Sequence, residues 1–352
     1  MSNRLTFGRA YQIDNISLRG VVSVLPRNEV DNSVFETRFG ADSVRDVVKM
    51  IGVQRRYWTN ESTTAADLCL HAAQKLLANV GWSTDSVDAL IFVSQTPDYR
   101  LPATACALHG KLGLDKACAA FDVNLGCSGY TYGLWLASTM IAGGARRVLL
   151  LAGDTITRTV SNDDRATAML FGDAGTATAL EFDETAVTST FVLGTDGAGA
   201  PNLIIPQGGF RNTVPADPRL EGRNPTCLYM DGGEIFNFTL KSVPGLVNDT
   251  LTHAGVALDD VDAFLYHQAN EFMLKHLARK SKIPAEKFPI NIGDYGNTSC
   301  ASIPLLISTR LREKLTAPQR LLMAGFGVGY SWGSALMSVG PLACNETEFH
   351  DL

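Results

Sequence analysis

The sequence predicts a layered α/β protein built from two similar halves, and three observations carry that prediction. First, Val87-Asp88-Ala89-Leu90-Ile91-Phe92-Val93 recurs as Val261-Asp262-Ala263-Phe264-Leu265-Tyr266-His267, displaced by 174 positions. Val148-Leu149-Leu150-Leu151-Ala152-Gly153 likewise recurs as Arg320-Leu321-Leu322-Met323-Ala324-Gly325, displaced by 172. Second, short apolar runs alternate with segments of helical periodicity, the pattern of βα units. Third, the 352 residues are 45% hydrophobic and only 19% charged. Such a chain has ample core material and favours tight layers over a solvated helical array.

In chain order, 65–77 has the periodicity of a helix and precedes the Val-Asp-Ala strand of the first half; 246–253 does the same in the second. Further strands are predicted over 119–123, 147–151 and 320–324, and an apolar helix over 129–141. Glu181, Asp183 and Glu184 interrupt the apolar pattern near 181–188, so the halves are drawn as 1–183 and 184–352. The segment 194–224, rich in Gly, Pro, Asn and Arg, reads as a long surface excursion.

Three segments far apart in the chain each offer one reactive side chain among small residues: Asp122-Val-Asn-Leu-Gly-Cys127-Ser-Gly, Tyr266-His267-Gln268-Ala269-Asn270 and Tyr295-Gly-Asn297-Thr-Ser. Cys127 falls between a strand and a helix, where unpaired N–H groups and the helix dipole favour a thiolate. The alternative is a core cysteine beside a tight turn. His267 ends a buried strand at its carboxyl end, where α/β ligand sites gather, although a lone histidine there is also ordinary core. Asn297 beside Gly296 is compatible with simple turn chemistry. The duplication places His267 at the equivalent of Val93 and Asn297 close to the equivalent of Cys127, so all three are expected to meet at a pseudo-symmetric centre. A thiol, an imidazole and a carboxamide together can form an enzyme thioester and then stabilise negative charge on a second carbonyl. The glycine-rich run Gly325-Phe326-Gly327-Val328-Gly329 can aim backbone N–H groups at an oxyanion or can be a packed turn; it lacks the dinucleotide-binding spacing.

The formal net charge of −6 argues against a general nucleic-acid binder. No apolar stretch is long enough to span a membrane, and the first residues lack a signal-peptide core, so a cytoplasmic protein is expected. Seven cysteines, an odd number without a C-x-x-C pair, support neither disulfides nor a structural metal.

Taken together, Asn-Leu-Gly-Cys127-Ser-Gly, Leu-Phe171-Gly-Asp-Ala-Gly, His267-Gln-Ala-Asn, Tyr-Gly-Asn297-Thr-Ser and Gly-Phe-Gly-Val-Gly-Tyr-Ser-Trp-Gly make the chain resemble the β-ketoacyl-acyl-carrier-protein synthase III family of the thiolase-like superfamily, over nearly its whole length. The resemblance implies a five-layered αβαβα thiolase-like fold, a homodimer, no bound cofactor or metal, and acyl-coenzyme A and acyl-carrier-protein thioesters as substrates. It also implies a ping-pong reaction: a primer acyl group moves to Cys127, and malonyl thioester is decarboxylated with His267 and Asn297 on its carbonyl oxygen. The backbone N–H groups of Cys127 and Val328 would form the oxyanion hole, and Arg165, Phe171, Leu101, Gln268 and Asn270 would contact substrate.

Four departures shape the expectations. Asp46 and Met50 stand where the family carries the Trp and Arg of its nucleotide clamp. Phe272 replaces an arginine of carrier-binding members, which leaves Lys275, Arg279 and Lys280 as the expected carrier-docking residues. Leu101, smaller than the usual Phe, suggests a pocket for primers longer than acetyl, and Val328 in place of Gly narrows the loop beside the thiol. Acyl transfer to a hydroxyl or amine without decarboxylation is the main alternative activity. A papain-like protease is disfavoured by the duplication, and a non-catalytic partner subunit by the intact trio.

Overall fold

A computed structural model describes residues 7–211 and 217–351; of the predicted excursion over 194–224, residues 212–216 lie outside the described residues. Two sheets form the frame. The larger has the strand order Cys344–His350, Ile16–Pro26, Ala174–Phe182, Arg147–Asp154, Ala89–Val93, Ala119–Val123. The smaller has the order Arg9–Ile13, Ser189–Thr195, Ser331–Val339, Gln319–Gly327, Ala263–Tyr266. Ala89–Val93 pairs parallel with Arg147–Asp154, which pairs antiparallel with Ala174–Phe182; Ala263–Tyr266, Gln319–Gly327 and Ser331–Val339 repeat the same arrangement. The two ends of the chain cross over, since Arg9–Ile13 joins the smaller sheet and Cys344–His350 the larger.

Helices complete the five layers of the thiolase-like fold. Ala65–Val80 covers the outer face of the larger sheet and Gly232–Ala254 that of the smaller, while Gly129–Ala142 and Ser302–Arg310 lie between the sheets and touch strands of both. Val93, Leu134, Leu265, Ile303 and Met323 share one apolar cluster in this middle space. Sheets covered on both faces explain why their central strands are continuously apolar rather than alternating. Close packing uses glycine: a Cβ on Gly175 would fall 2.5 Å from Leu68 Cβ, so the Ala65–Val80 helix sits directly on the strand. That helix begins with a reciprocal cap, in which Asp67 Oδ2 accepts from the Thr64 N–H (3.0 Å) and Thr64 Oγ1 from the Asp67 N–H (3.4 Å). Such caps contribute about 1 kcal/mol. None of the described helices is long and apolar enough to cross a membrane.

Two expectations are corrected. The helix predicted over 246–253 is the last third of the 23-residue Gly232–Ala254; Gly232, Gly233 and Pro244 mask its earlier turns in the sequence, because all three disfavour helix interiors. The second repeat is also out of register by one. The Asp88 N–H donates to the Arg147 carbonyl (2.9 Å) and Asp88 Oδ2 accepts from the Arg147 N–H (2.9 Å). Asp262 makes the same pair of bonds with Arg320 (2.9 and 2.7 Å). Arg147 therefore corresponds to Arg320, a shift of 173, whereas matching apolar letters alone gave 172.

Candidate active site

Cys127 follows the strand Ala119–Val123 and stands just before the helix Gly129–Ala142. His267 follows Ala263–Tyr266, its N–H held by the Ala324 carbonyl at 2.8 Å. Asn297 is placed by a short bridge to Phe171: its N–H donates to the Leu170 carbonyl (2.9 Å), and its carbonyl accepts from the Gly172 N–H (3.1 Å). The three side chains line one cavity of about 100 Å³, together with Phe171 and Ile156 from the first half, Phe326, Gly327 and Val328 from the second, Leu203 from the excursion, and Leu228 and Met230 from the segment that follows it. The meeting point expected from the duplication is therefore present.

The thiol does not carry the depressed pKa that its helix-end position suggested. Cys127 is half-buried, and desolvation pushes its pKa up to about 12. The Val328 and Cys127 backbone N–H groups act in the opposite direction, and the carboxylate of Asp154 adds to the rise. Here the cost of removing a thiolate from water outweighs the backbone N–H groups that favour it. Reaction of Cys127 with iodoacetamide, followed by intact mass, should therefore accelerate roughly tenfold per pH unit from 7 to 10 without a plateau, because only the thiolate reacts. A plateau below pH 8 would show a stabilised thiolate instead.

The imidazole of His267 is 1% exposed, and burial lowers its pKa to about 3, against the contrary effect of the Ser299 carbonyl. At neutral pH it is uncharged, with one ring nitrogen a donor and the other an acceptor. Ser302 Oγ lies 2.7 Å from Nδ1 and the Phe326 ring stands edge-on, fixing the ring plane. Asn297 Oδ1 accepts from the Ser299 N–H (2.9 Å), so the amide end Nδ2 faces the Ala269 carbonyl (3.4 Å) and the cavity.

Gly327 is required by this geometry. A Cβ there would fall 2.6 Å from Cys127 Cβ and 2.9 Å from Sγ, inside contact distance. Gly327→Ala should cut the rate of Cys127 acylation at least tenfold while leaving the fold intact, as read by alkylation kinetics alongside thermal melting; an unchanged rate would show that the loop yields.

Models of the 3-oxoacyl-[acyl-carrier-protein] synthase III family match residues 121–200 and, for its C-terminal part, 251–339. A β-ketoacyl-[acyl-carrier-protein] synthase III of Clostridium perfringens is 33% identical over 328 residues, spanning 92% of this chain and 99% of its own. The chain belongs to the 3-oxoacyl-acyl-carrier-protein synthase III family. Among solved structures, a 3-oxoacyl-(acyl-carrier protein) synthase of Burkholderia xenovorans LB400 is 56% identical, with a TM-score of 0.97 over 98% of this chain and 100% of that one. The priming β-ketosynthase of the R1128 polyketide pathway is 26% identical, with a TM-score of 0.82 over 93% of this chain and 97% of that one.

Within this synthase III, the remaining predicted residues divide sharply. Asn270 borders the cavity, and its Oδ1 caps the helix Glu271–Lys280 through the Met273 N–H (2.8 Å). Arg165 stands outside the cavity on an adjoining groove with Met50, Phe236 and Phe272, its guanidinium on Ser43 Oγ (3.0 Å). Gln268 is corrected: it is 1% exposed, Nε2 donates to the Tyr266 carbonyl (2.9 Å) and Oε1 accepts from the Asn291 N–H (3.0 Å), so its carboxamide is spent on the fold. Leu101 is 88% exposed and does not line this chain's cavity. Of the basic residues, Lys275 is paired with Glu271 (2.7 Å) and Lys280 is tied to the Leu240 carbonyl (2.6 Å), which leaves Arg279, beside His276, as the least committed charge. All seven cysteines are free. Gln95, Ser302 and Gly327 were not singled out from the sequence as site residues; only the glycine run hinted at the last.

Proposed function

We propose that this synthase III family member catalyses a decarboxylative Claisen condensation between a primer acyl thioester and malonyl-acyl-carrier protein. The observation that carries the reading is the convergence of one thiol, one neutral imidazole and one oriented carboxamide on a single, mainly apolar cavity. In the first half-reaction the sulfur of Cys127 attacks the primer carbonyl, the C–S bond of the donor breaks, the thiol proton leaves with the departing thiolate, and the acyl group remains on Cys127. The Val328 and Cys127 amides, which both hydrogen-bond the sulfur, support an oxyanion hole for the tetrahedral intermediate.

In the second half-reaction the thioester carbonyl of the malonyl group receives hydrogen bonds from His267 and Asn297. Loss of carbon dioxide leaves an enolate, its carbon attacks the acyl-cysteine carbonyl, and the C–S bond breaks to release a β-ketoacyl thioester and a Cys127 thiolate, which is then protonated. Low polarity around these donors strengthens their effect on the enolate. Carrier protein as partner is supported by the name of the Clostridium perfringens relative, a β-ketoacyl-[acyl-carrier-protein] synthase III, and by the groove beside Arg165 and Phe272, which opens next to the cavity and shares Asn270 and Met273 with it. A homodimer that brings the exposed Leu101 to a partner's cavity belongs to the same reading.

The test is incubation with malonyl-carrier protein and a panel of acyl-coenzyme A and acyl-carrier donors, with intact mass and trapped carbon dioxide as readouts. An acyl group on Cys127 together with carbon dioxide release is expected. Acylation without decarboxylation would transfer the assignment to acyl transfer onto a hydroxyl or amine.

A further inference from the structure

Between the nucleophile and the outer surface stands a polar side chain that the reaction above does not use. Gln95 follows the strand Ala89–Val93 by two residues and lines the cavity with Cys127 on one side and an exposed groove with Tyr99 and Arg158 on the other. Its side chain is pressed on Gly126, the residue before the nucleophile: a Cβ on Gly126 would collide with Gln95 Oε1 and fall 3.1 Å from Val328 Cγ1. Gln95 and Val328 thus flank the acyl end of the cavity.

The backbone of Gln95 is locked while its side-chain amide is free. Asp154, fully buried, accepts on one oxygen from the Gln95 N–H (2.7 Å), the Ser94 hydroxyl (2.9 Å) and the Thr96 N–H (3.1 Å). The Gln95 carboxamide, by contrast, makes no hydrogen bond within the described residues. The hydroxyl of Thr239, elsewhere on the cavity wall, is already spent, since its Oγ1 donates to the Ile235 carbonyl at 2.7 Å. Gln95 is half-buried, and its carboxamide, with no protein partner among the described residues, is left to hydrogen-bond water or a ligand that enters the cavity.

We propose that Gln95 determines primer specificity: its carboxamide hydrogen-bonds an oxygen substituent on the acyl chain carried by Cys127, so that the enzyme selects hydroxyacyl or ketoacyl primers over unsubstituted chains of equal length. The inference rests on the condensing reading given above. A methylene chain lying beside the amide strips it of water and returns nothing, whereas a keto oxygen accepts from Nε2 and a hydroxyl can also donate to Oε1. Sites built to hydrogen-bond a substrate oxygen reject the analogue that lacks it far more strongly than apolar pockets reject a missing methylene.

The experiment compares Cys127 acylation by butyryl-, 3-hydroxybutyryl- and acetoacetyl-coenzyme A, as kcat/KM from quenched intact-mass time courses. The full-length wild type should favour the oxygenated donors over butyryl by roughly tenfold or more, and Gln95→Leu should bring that ratio to near one. Gln95→Glu keeps the shape but, when ionised, only accepts; it should retain the hydroxy donor and lose the keto donor. A flat ratio in the wild type, or a ratio that neither variant alters, overturns the proposal. If butyryl reaches Cys127 and malonyl thioester loses carbon dioxide while the ratio is flat, the role of Gln95 alone is refuted. If no donor acylates Cys127, the condensing reading falls with it.

Discussion

Cys127→Ala should abolish the acyl-enzyme and lower condensation at least about 10⁴-fold, the scale on which removal of a nucleophile acts, yet leave slow decarboxylation of malonyl thioester in place. The two half-reactions draw on different groups. Acyl transfer needs the thiol, whereas enolate formation needs only the donors on His267 and Asn297, and these do not depend on the sulfur for their positions. His267 is held by Ser302 and the Ala324 carbonyl, and Asn297 by Ser299 and the bridge to Phe171. Intact mass after exposure to the best donor, with carbon dioxide trapped in parallel, reads both halves. An acyl adduct that survives in the variant would place the nucleophile elsewhere, and a complete loss of carbon dioxide would tie decarboxylation to the thiol.

His267→Ala and Asn297→Ala should show the opposite pattern. Each removes one donor from the malonyl carbonyl, and such a donor in a dry site carries roughly a 10²- to 10³-fold effect on rate. Carbon dioxide release should fall by that factor in each variant, while an acyl group still reaches Cys127. Acylation should be little changed in either variant. Because both donors serve one oxygen, the double variant should cost less than the product of the two single effects. Equal damage to acylation and decarboxylation by Asn297→Ala would remove the carboxamide from the role assigned to it.

The trio was legible in the sequence because each member interrupts a pattern: a thiol and an imidazole at the ends of apolar runs, an amide in a small-residue turn. What surrounds them was less so. The pKa of Cys127 was misjudged because helix-end position can be read from spacing, while desolvation depends on residues as distant as Phe326 and Leu203 that close over it. Gln268 was expected as a substrate contact from the resemblance of the His-Gln-Ala-Asn segment, yet its carboxamide is held by the Tyr266 carbonyl and the Asn291 N–H inside the protein. Gln95 and Gly327 matter through close approach to Gly126 and Cys127, and such contacts leave no mark on local periodicity. The repeat itself was plain, but its register in a leucine-rich strand was fixed only by the aspartates that bond across to Arg147 and Arg320.

That corrected register has a consequence for chemical labelling. The shift of 173 that carries Arg147 to Arg320 also carries Cys127 to Cys300 and Asp154 to Gly327, while His267 stands in the place of Val93. Cys300 is 1% exposed, its sulfur 3.3 Å from the Val93 carbonyl and 3.4 Å from Asp154 Oδ2, and desolvation together with that carboxylate pushes its pKa far upward. The molecule therefore carries a matched second thiol in the pseudo-symmetric location, with glycine exchanged for aspartate and imidazole for an alkyl group. A reagent that modifies Cys127 and spares Cys300 reads those two exchanges together with the access that the cavity gives to Cys127 alone.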